Sequence, residues 1–187
     1  MSALLGAIER SPGAPVRIVL CVSNNREPGA FAVARDASVP TMSLTPRSFA
    51  REEEYAAVLL DRLELHGVEM IVLAGYMRKI PTKVVEQYRG RIVNVHPALL
   101  PRHGGRGMYG MAVHEAVLAA GEEETGVTVH LVDEEYDSGP VLAQEHVPVH
   151  PSDTPESLAA RALAVEHYLL PKAVFDLARH IRENDQE

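Results

Sequence analysis

Two polar side chains occupy alternate positions at the end of a short apolar run. Asn94 and His96 follow directly on Ile92 and Val93, and because side chains alternate along a strand, both point to the same side of a sheet. An amide N–H and an imidazole are groups that can act on one substrate atom. Since ligands bind at the carboxyl edge of open α/β sheets, the pattern favours a site there. A purely structural Asn and His at a strand end would give the same pattern.

An aspartate in a later turn could complete this site. Asp137 begins the turn Asp137–Pro140 between two predicted strands, where an Asp most often caps its own backbone. If the turn reaches His96, the carboxylate raises the imidazole pKa and keeps the ring protonated near neutral pH. An Asn donor, a His acid and an Asp partner suit acyl transfer through a tetrahedral oxyanion. No nucleophilic Ser or Cys is needed when the substrate brings its own amine.

A glycine-rich loop follows the Asn-His pair. Residues 104–110 contain four glycines, which suits a close backbone approach to a ligand or an opening lid, or simply a flexible loop. The loop lacks the lysine of a phosphate loop and the spacing of a dinucleotide fingerprint. The histidines nearby form no HExxH or CxxC pattern, so we expect no metal; they are His96, His103, His114 and His130.

Strand-length apolar runs alternate with segments of helical period. The predicted central strands are Arg17–Ser23, Glu69–Ala74 and Arg91–Val95, and the predicted helices are Gly29–Ala37, Arg47–His66, Thr82–Tyr88 and Met111–Ala120. Two further strands are predicted at Gly126–Asp133 and Val141–Val149, followed by a long helix that Thr154 caps and that runs to Ile181 with an interruption at Pro171. This alternation predicts an α/β fold with a doubly wound, mostly parallel sheet.

Size and composition limit the classes of function. At 187 residues the chain is predicted to form one domain, residues 1–187. A formal net charge of −8 argues against unselective nucleic-acid binding, and the apolar runs are far shorter than the roughly 20 residues of a membrane span. A single cysteine excludes an internal disulfide and fits a reducing cytoplasm, where we expect the protein to be located.

Several ordered motifs together resemble one known family. They are Leu73–Arg78, Asn94–Pro101, Gly126–His130, Asp137–Pro140 and Glu166-His167. In this combination the sequence, over about residues 2 to 182, resembles the phosphoribosylglycinamide formyltransferases, the folate-dependent enzymes of purine synthesis. The resemblance implies the formyltransferase fold and a direct transfer of formyl from 10-formyltetrahydrofolate, as co-substrate, to the amine of glycinamide ribonucleotide, with no metal.

The resemblance also implies roles for individual residues. Asn94 and protonated His96 would stabilise the oxyanion, while Asp137 orients His96 and relays a proton. Folate would bind at Met77, Arg78, Lys79, Ile80, Asn94, Asp133, Glu134, Glu135, Tyr136 and Asp137, with Leu73, Ile92 and Val132 as apolar walls. The ribonucleotide would bind at Ser2, Leu163, Ala164, Val165 and Glu166, the last holding the ribose hydroxyls.

The sequence differs from the family pattern in two places, and we draw an expectation from these differences. Family members begin with a strand and a Gly-Ser-Asn turn that holds the substrate phosphate, whereas this sequence begins after that turn. We therefore expect the sheet to lack its first strand and the phosphate site to be missing or halved. Family members also have an arginine that binds the folate tail. At that position this chain has Glu52, and its nearest arginine, Arg51, is one residue away.

Other functions and assemblies stay open at this point. The alternatives are a formyltetrahydrofolate hydrolase-like activity and an inactive folate-binding protein. The expected partners are the two small-molecule substrates, with neither nucleic acid nor membrane, and the protein is expected to be a monomer or a homodimer.

Overall fold

Helices and strands alternate along residues 1–184, the part of the chain that the computed structural model describes. The helices are α1 (Ser2–Arg10), α2 (Gly29–Asp36), α3 (Glu52–Leu65), α4 (Thr82–Gln87), α5 (Met111–Ala119) and α6 (Pro155–Asn184). The strands are β1 (Cys21–Ser23), β2 (Thr41–Ser43), β3 (Ile71–Leu73), β4 (Ile92–His96), β5 (Glu124–Leu131) and β6 (Val141–Pro148). The predicted α/β class is confirmed. Within the described residues, no helix is long and apolar enough to cross a membrane.

The strand register builds one row of side chains across the larger sheet. This sheet has the order β3-β4-β5-β6, in which β3 and β4 are parallel and the other two pairs are antiparallel. Leu73 pairs with Asn94, and Asn94 in turn pairs with His130. His96, two residues further on, pairs with Thr128. Polar side chains of two adjacent strands therefore meet on one face at the carboxyl end of β4.

The smaller sheet consists of β1 and β2, which pair in parallel. Val22 of β1 and Leu20, just before this strand, pack against the same apolar cluster of α3 and α4 as Ile71 and Leu73 of the larger sheet. Among the described residues, β1 pairs only with β2, and β3 only with β4. The two sheets thus share a helical layer without a common ladder. That this separation reflects a missing first strand stays a prediction.

Helix α6 covers the opposite face of the larger sheet. Its residues Ala162, Leu169 and Val174 pack against Val93 of β4 and Val129 of β5. Burial of these side chains stabilises the helix by roughly 1.5–3 kcal/mol per large apolar residue. The larger sheet is therefore covered by α3 and α4 on one face, at the level of Ile92, and by α6 on the other.

The start of α6 is fixed by polar contacts. The Ser157 amide donates to Thr154 Oγ1 at 3.3 Å, and the Thr154 amide donates to Ser157 Oγ at 3.0 Å, so the predicted cap at Thr154 is confirmed. Arg161 donates two hydrogen bonds of 2.8 Å to the Asp153 carboxylate, which lies just before the helix. Hydrogen bonds from Arg161 and from the His150 amide hold the pKa of Asp153 well below its usual range.

Two predicted helix boundaries are wrong. The predicted interruption at Pro171 does not occur, because Pro171 and its neighbour Leu170 are buried in the core and this packing outweighs one lost backbone hydrogen bond. The helix predicted from Arg47 begins only at Glu52, after a short 3-10 turn and an extended residue at Phe49. The Phe49 ring packs on Tyr55 at 5.7 Å, so this segment folds back onto α3 instead of extending it.

Gly139 fixes the turn that carries Asp137, and its substitution is predicted to be costly. A Cβ atom at Gly139 would overlap the carbonyl oxygen of Leu131 on the neighbouring backbone. We expect Gly139→Ala to lower the free energy of unfolding by about 2–3 kcal/mol in urea denaturation, as overpacking against backbone does. Gly29→Ala is the matched control, since Gly29 begins α2 and a Cβ there meets nothing within 4 Å. Equal stabilities of the two variants would contradict this account.

Candidate active site

A cavity of about 610 Å³ opens above the polar row of the sheet. Its walls come from the ends of β3 and β4, the loop after β5, the glycine-rich loop before α5 and one side of α6. Asn94, His96 and His130 line its sheet side. A concave pocket with a few convergent polar groups is the usual form of a small-molecule site.

The three residues predicted to be catalytic come together in this cavity. His96 is buried, and its Nδ1 lies 3.6 Å from Asp137 Oδ2. Its Nε2 lies 2.8 Å from the backbone oxygen of His103, which can only accept, so the Nε2–H donates. Asp137 Oδ2 also accepts a 2.9 Å hydrogen bond from the Gly105 amide. The glycine-rich loop is thereby attached to the His96–Asp137 pair.

Asp137 adopts a left-handed backbone conformation, with φ of 53°. Few residues other than glycine take this conformation, and Asp and Asn tolerate it best. The turn, stabilised by Ser138 Oγ donating to Asp133 Oδ1 at 2.8 Å, aims the carboxylate at the imidazole. A strained residue held in place by its surroundings is typical of a functional site.

Burial and charge act in opposite directions on His96. Burial lowers the pKa of the imidazole below its ordinary value, and the opposing effects of the Asp137 carboxylate and the His103 carbonyl do not overcome it. The expectation that Asp137 keeps His96 protonated near neutral pH is therefore wrong for this state of the protein. Asp137 does favour the imidazolium, but removal of the ring from water is the larger effect.

For the Asp137 carboxyl, in contrast to His96, the combined effect of its polar contacts on the pKa is larger than the effect of burial. Burial raises its pKa, but contacts with His130, with the Gly105 amide and with His96 outweigh burial, so the net pKa lies below the ordinary value. Asp137 is thus a carboxylate at neutral pH, able to accept a proton from a group that enters the cavity.

His130 joins this cluster, although the sequence analysis gave it no catalytic or binding role. Its Nδ1 lies 2.8 Å from the Leu131 oxygen and carries the proton, so Nε2 accepts from Asn94 Nδ2 at 3.1 Å. The same Nε2 lies 3.5 Å from Asp137 Oδ1. The alternation of Gly126–Asp133 already placed His130 at a polar position of its strand, but its pairing with Asn94 depends on a register that sequence does not reveal.

A buried polar network fixes the chain just after His96. Thr128 Oγ1 donates to the Ala98 oxygen at 2.6 Å and accepts from the Leu100 amide at 3.1 Å. Gln144 Nε2 lies 3.0 Å from the Leu100 oxygen and 2.9 Å from Thr128 Oγ1. The first residues of the loop are therefore held rigidly against β5 and β6.

His114 lies on α5 at the edge of the cavity and is buried. Burial, together with the nearby His96, lowers its pKa. Among the described residues its Nδ1 has no hydrogen-bond partner. Within residues 1–184, no group of three or more histidine, cysteine, aspartate or glutamate side chains is placed to hold a metal ion.

Most residues predicted to bind folate line the cavity. They are Leu73, Met77, Arg78, Lys79, Ile80, Asn94, Val132, Asp133, Glu135, Tyr136 and Asp137. Two do not. Ile92 has the same strand parity as Asn94 but lies deeper, fully buried in the cluster of α3 and α4. Glu134 is exposed and faces Arg89, with 3.5 Å between their charged atoms.

The residues predicted to bind the ribonucleotide are only partly in the cavity. Leu163 and Glu166 line it, and burial raises the pKa of the Glu166 carboxyl. Val165 instead packs into the core beneath α6, Ala164 is exposed on another side of that helix, and Ser2 is exposed at the start of α1. The helical period explains this result, because consecutive residues of a helix cannot all face one cavity.

The cavity also contains residues to which the sequence assigned no specific ligand. They are Gly75, Tyr76, Val95, Pro97, the loop residues Gly105–Gly110, Met111, His114, His130, Ala159 and Ala160. The glycines of the loop were the available signal, since they allowed a close backbone approach to a ligand. The two alanines gave none.

The chain is similar to proteins of one known family. A family model described as formyl transferase matches residues 2–174. The crystal structure of phosphoribosylglycinamide formyltransferase from Brucella melitensis superposes with a TM-score of 0.86 at 41% identity, over 95% of this chain and 88% of that one. This chain belongs to the phosphoribosylglycinamide formyltransferase family.

Two named formyltransferases are also similar to this chain in sequence. The chain is 42% identical over 159 residues to the chloroplastic phosphoribosylglycinamide formyltransferase of Arabidopsis thaliana. The aligned residues make up 84% of this chain and 54% of that protein. It is 34% identical over 152 residues to the phosphoribosylglycinamide formyltransferase of Escherichia coli, over 81% of this chain and 69% of that protein. The chain thus spans about half the length of the chloroplastic relative. The family predicted from the ordered motifs, and its α/β formyltransferase fold, are confirmed.

Proposed function

We propose that this protein transfers the formyl group of 10-formyltetrahydrofolate to the amine of glycinamide ribonucleotide. The observation that carries the proposal is the convergence of Asn94, His96 and Asp137 in one cavity of a chain that belongs to this family. The three side chains supply a donor, an imidazole and a carboxylate without an activated nucleophile. Such a set suits a reaction in which the substrate amine is itself the nucleophile.

The transfer begins with attack of the substrate amine nitrogen on the formyl carbon. The new nitrogen–carbon bond forms while the carbonyl electrons move onto oxygen. Asn94 Nδ2 has two protons, one of which binds His130, and the other donates to this oxyanion. His96 provides the second donor when the substrate oxygen competes with the His103 carbonyl for its proton.

The tetrahedral intermediate then collapses toward the product. The oxyanion reforms the carbonyl, and the bond between the formyl carbon and folate N10 breaks. The attacking amine loses a proton and N10 gains one. Asp137 accepts and relays this proton, because its depressed pKa keeps it ionised and its carboxylate lies beside His96.

The walls of the cavity suit the two substrates. Leu73, Ile80 and Val132 form an apolar wall for a flat pterin ring, and the Tyr136 ring lies under Lys79 Nζ at 5.9 Å. Glu166 offers acceptor oxygens for ribose hydroxyls. We further infer a cytoplasmic protein, monomeric or homodimeric, with these two small molecules as its partners.

The test is a reaction of the purified protein with 10-formyltetrahydrofolate, with and without glycinamide ribonucleotide. We expect tetrahydrofolate release that depends on the amine, and a formylated ribonucleotide detected by mass spectrometry. Release that does not need the amine would replace the transferase with a hydrolase. No release under either condition would leave an inactive folate-binding protein and reject the proposal.

A further inference from the structure

The glycine-rich loop carries one arginine at the mouth of the cavity. Arg106 is exposed and lines the cavity. Across residues 1–184 the structure records neither an ion pair nor a hydrogen bond for its guanidinium. Arg102, on the same loop, instead binds Glu122 at 2.7 Å and lies outside the cavity. Of these two loop arginines, only Arg106 is available to a ligand.

The position of Arg106 is fixed by its neighbours. The Gly105 amide donates to Asp137 Oδ2 at 2.9 Å, so Arg106 is one residue away from the proposed reaction centre. Gly105 and Gly107 have φ of 94° and 91°, which bulkier residues rarely adopt. At the other end of the loop, Gly110 packs near Met77 on the opposite wall. The loop is thus held at Gly105 by the hydrogen bond to Asp137 and passes close to Met77 at Gly110.

Several acidic side chains line the cavity in which Arg106 lies. Asp133, Glu135, Asp137 and Glu166 all line the cavity of a protein whose formal net charge is −8. An anionic ligand would be repelled unless a local cation compensates. Two other cations line the cavity, Arg78 and Lys79. Both belong to the segment that follows β3, and Lys79 Nζ lies 5.9 Å from the centre of the Tyr136 ring.

We propose that Arg106 binds the anionic group that a substrate carries away from its reacting atoms. The inference rests on the proposed function, in which one substrate carries a phosphate and the other a glutamate carboxylate. Each group presents two neighbouring anionic oxygens, with which a guanidinium fork pairs through two parallel hydrogen bonds. The shared chemistry is an oxyanion, and the experiment separates its two sources.

Steady-state kinetics of Arg106→Ala provide the first test. We expect the KM of one substrate to rise about tenfold to a hundredfold, as for loss of a hydrogen-bonded charge pair, while kcat changes little. A rise for the ribonucleotide assigns the phosphate, and a rise for the formyl-folate assigns the carboxylate. Arg106→Lys keeps the charge but loses the two-pronged hydrogen-bonding geometry of the guanidinium. Its KM should therefore lie between those of the native enzyme and Arg106→Ala.

The matched control is Arg179→Ala. Arg179 is an exposed arginine of α6 whose ion pair, to Asp176, is also exposed, and its removal should leave both KM values unchanged. The KM of the native enzyme should also rise with salt, and this dependence should flatten in Arg106→Ala. Unchanged KM values for both substrates in Arg106→Ala would overturn the inference.

Direct binding separates failure of this inference from failure of the proposed function. Ribose 5-phosphate and p-aminobenzoylglutamate serve as probes, titrated calorimetrically into the native protein and Arg106→Ala. If the protein transfers no formyl group but Arg106→Ala loses binding of one probe, the proposed function fails and the arginine site stands. If formyl transfer occurs but probe binding is equal in both proteins, or absent from the native protein, the arginine site fails alone.

Discussion

Replacing His96 by alanine is expected to lower kcat by at least about a hundredfold, the usual loss when one donor to a developing oxyanion is removed. Asn94→Ala should produce a loss of the same order, because its free Nδ2 proton serves the same oxygen. Both donors act mainly in the transition state, so the dissociation constant of formyl-folate should change far less than kcat. Stopped-flow turnover and equilibrium titration of the folate measure the two quantities.

His146→Ala is the matched control for these variants. His146 is an exposed histidine of β6 paired with Glu124 at 3.1 Å, away from the cavity, so its loss should not affect turnover. If His96→Ala weakened folate binding as much as it lowered kcat, the residue would be a binding group and not a donor to the transition state.

The second large effect is expected for Asp137→Asn. Asn is isosteric and tolerates the left-handed conformation that Asp137 adopts, so the turn should keep its shape. The variant loses the proton acceptor and the charge that supports the His96 imidazolium. We expect kcat to fall on the order of 10³-fold or more, by comparison with loss of the aspartate of a catalytic triad.

The pH dependence of this variant follows from the direction of the His96 shift. Asp137 raises the His96 pKa against the larger effect of burial, so Asp137→Asn should move that pKa still lower. The imidazolium donates to an oxyanion more strongly than the neutral ring does, so the part of the rate that depends on it is present below the pKa and is lost as pH rises through that value. The loss should therefore begin at lower pH in the variant. NMR titration of His96, alongside pH–rate profiles, measures both changes.

Asp61→Asn serves as the control for charge alone. Asp61 is an exposed residue of α3 that lies near Arg62, and its replacement should leave the His96 titration and the rate profile in place. A His96 titration that is also unmoved in Asp137→Asn would refute the electrostatic coupling of the pair.

Local sequence patterns located the candidate site residues better than they described the surroundings of those residues. Alternation along a strand sufficed to place Asn94 and His96 on one face. Asp137 became a catalytic candidate through the family resemblance, because an Asp in a turn most often caps its own backbone. The lowered pKa of His96 could not be predicted in the same way, because desolvation depends on helices and loops distant in sequence that cover the ring. The link between Asn94 and His130 depends equally on tertiary structure, since it follows from strand register.

How deep a residue lies along its strand, and which way it faces on its helix, could also not be predicted from the sequence. Ile92 has the parity of the site residues but lies two residues below them, in the core. Val165 lies between Leu163 and Glu166, which both line the cavity, and yet it faces the core. Strand and helix period identify a face, whereas depth and facing angle depend on how the layers pack. The family resemblance therefore implied more contacts on α6 than the packing of this helix brings into the cavity.

The separation of the sheet into two ladders has a consequence for the cooperativity of folding. Within residues 1–184 the ladder of β1 runs only to β2, so α2 and these strands are joined to the rest of the chain through side-chain packing. This segment can open without breaking a hydrogen bond of the β4–β5 ladder. Its amide protons should therefore exchange with deuterium through a sub-global opening of lower free energy than that of Val93 or Val129. Equal protection of both ladders would show a single cooperative unit. A substrate that binds in the cavity should then slow exchange in β4 and β5 more than in β1 and β2.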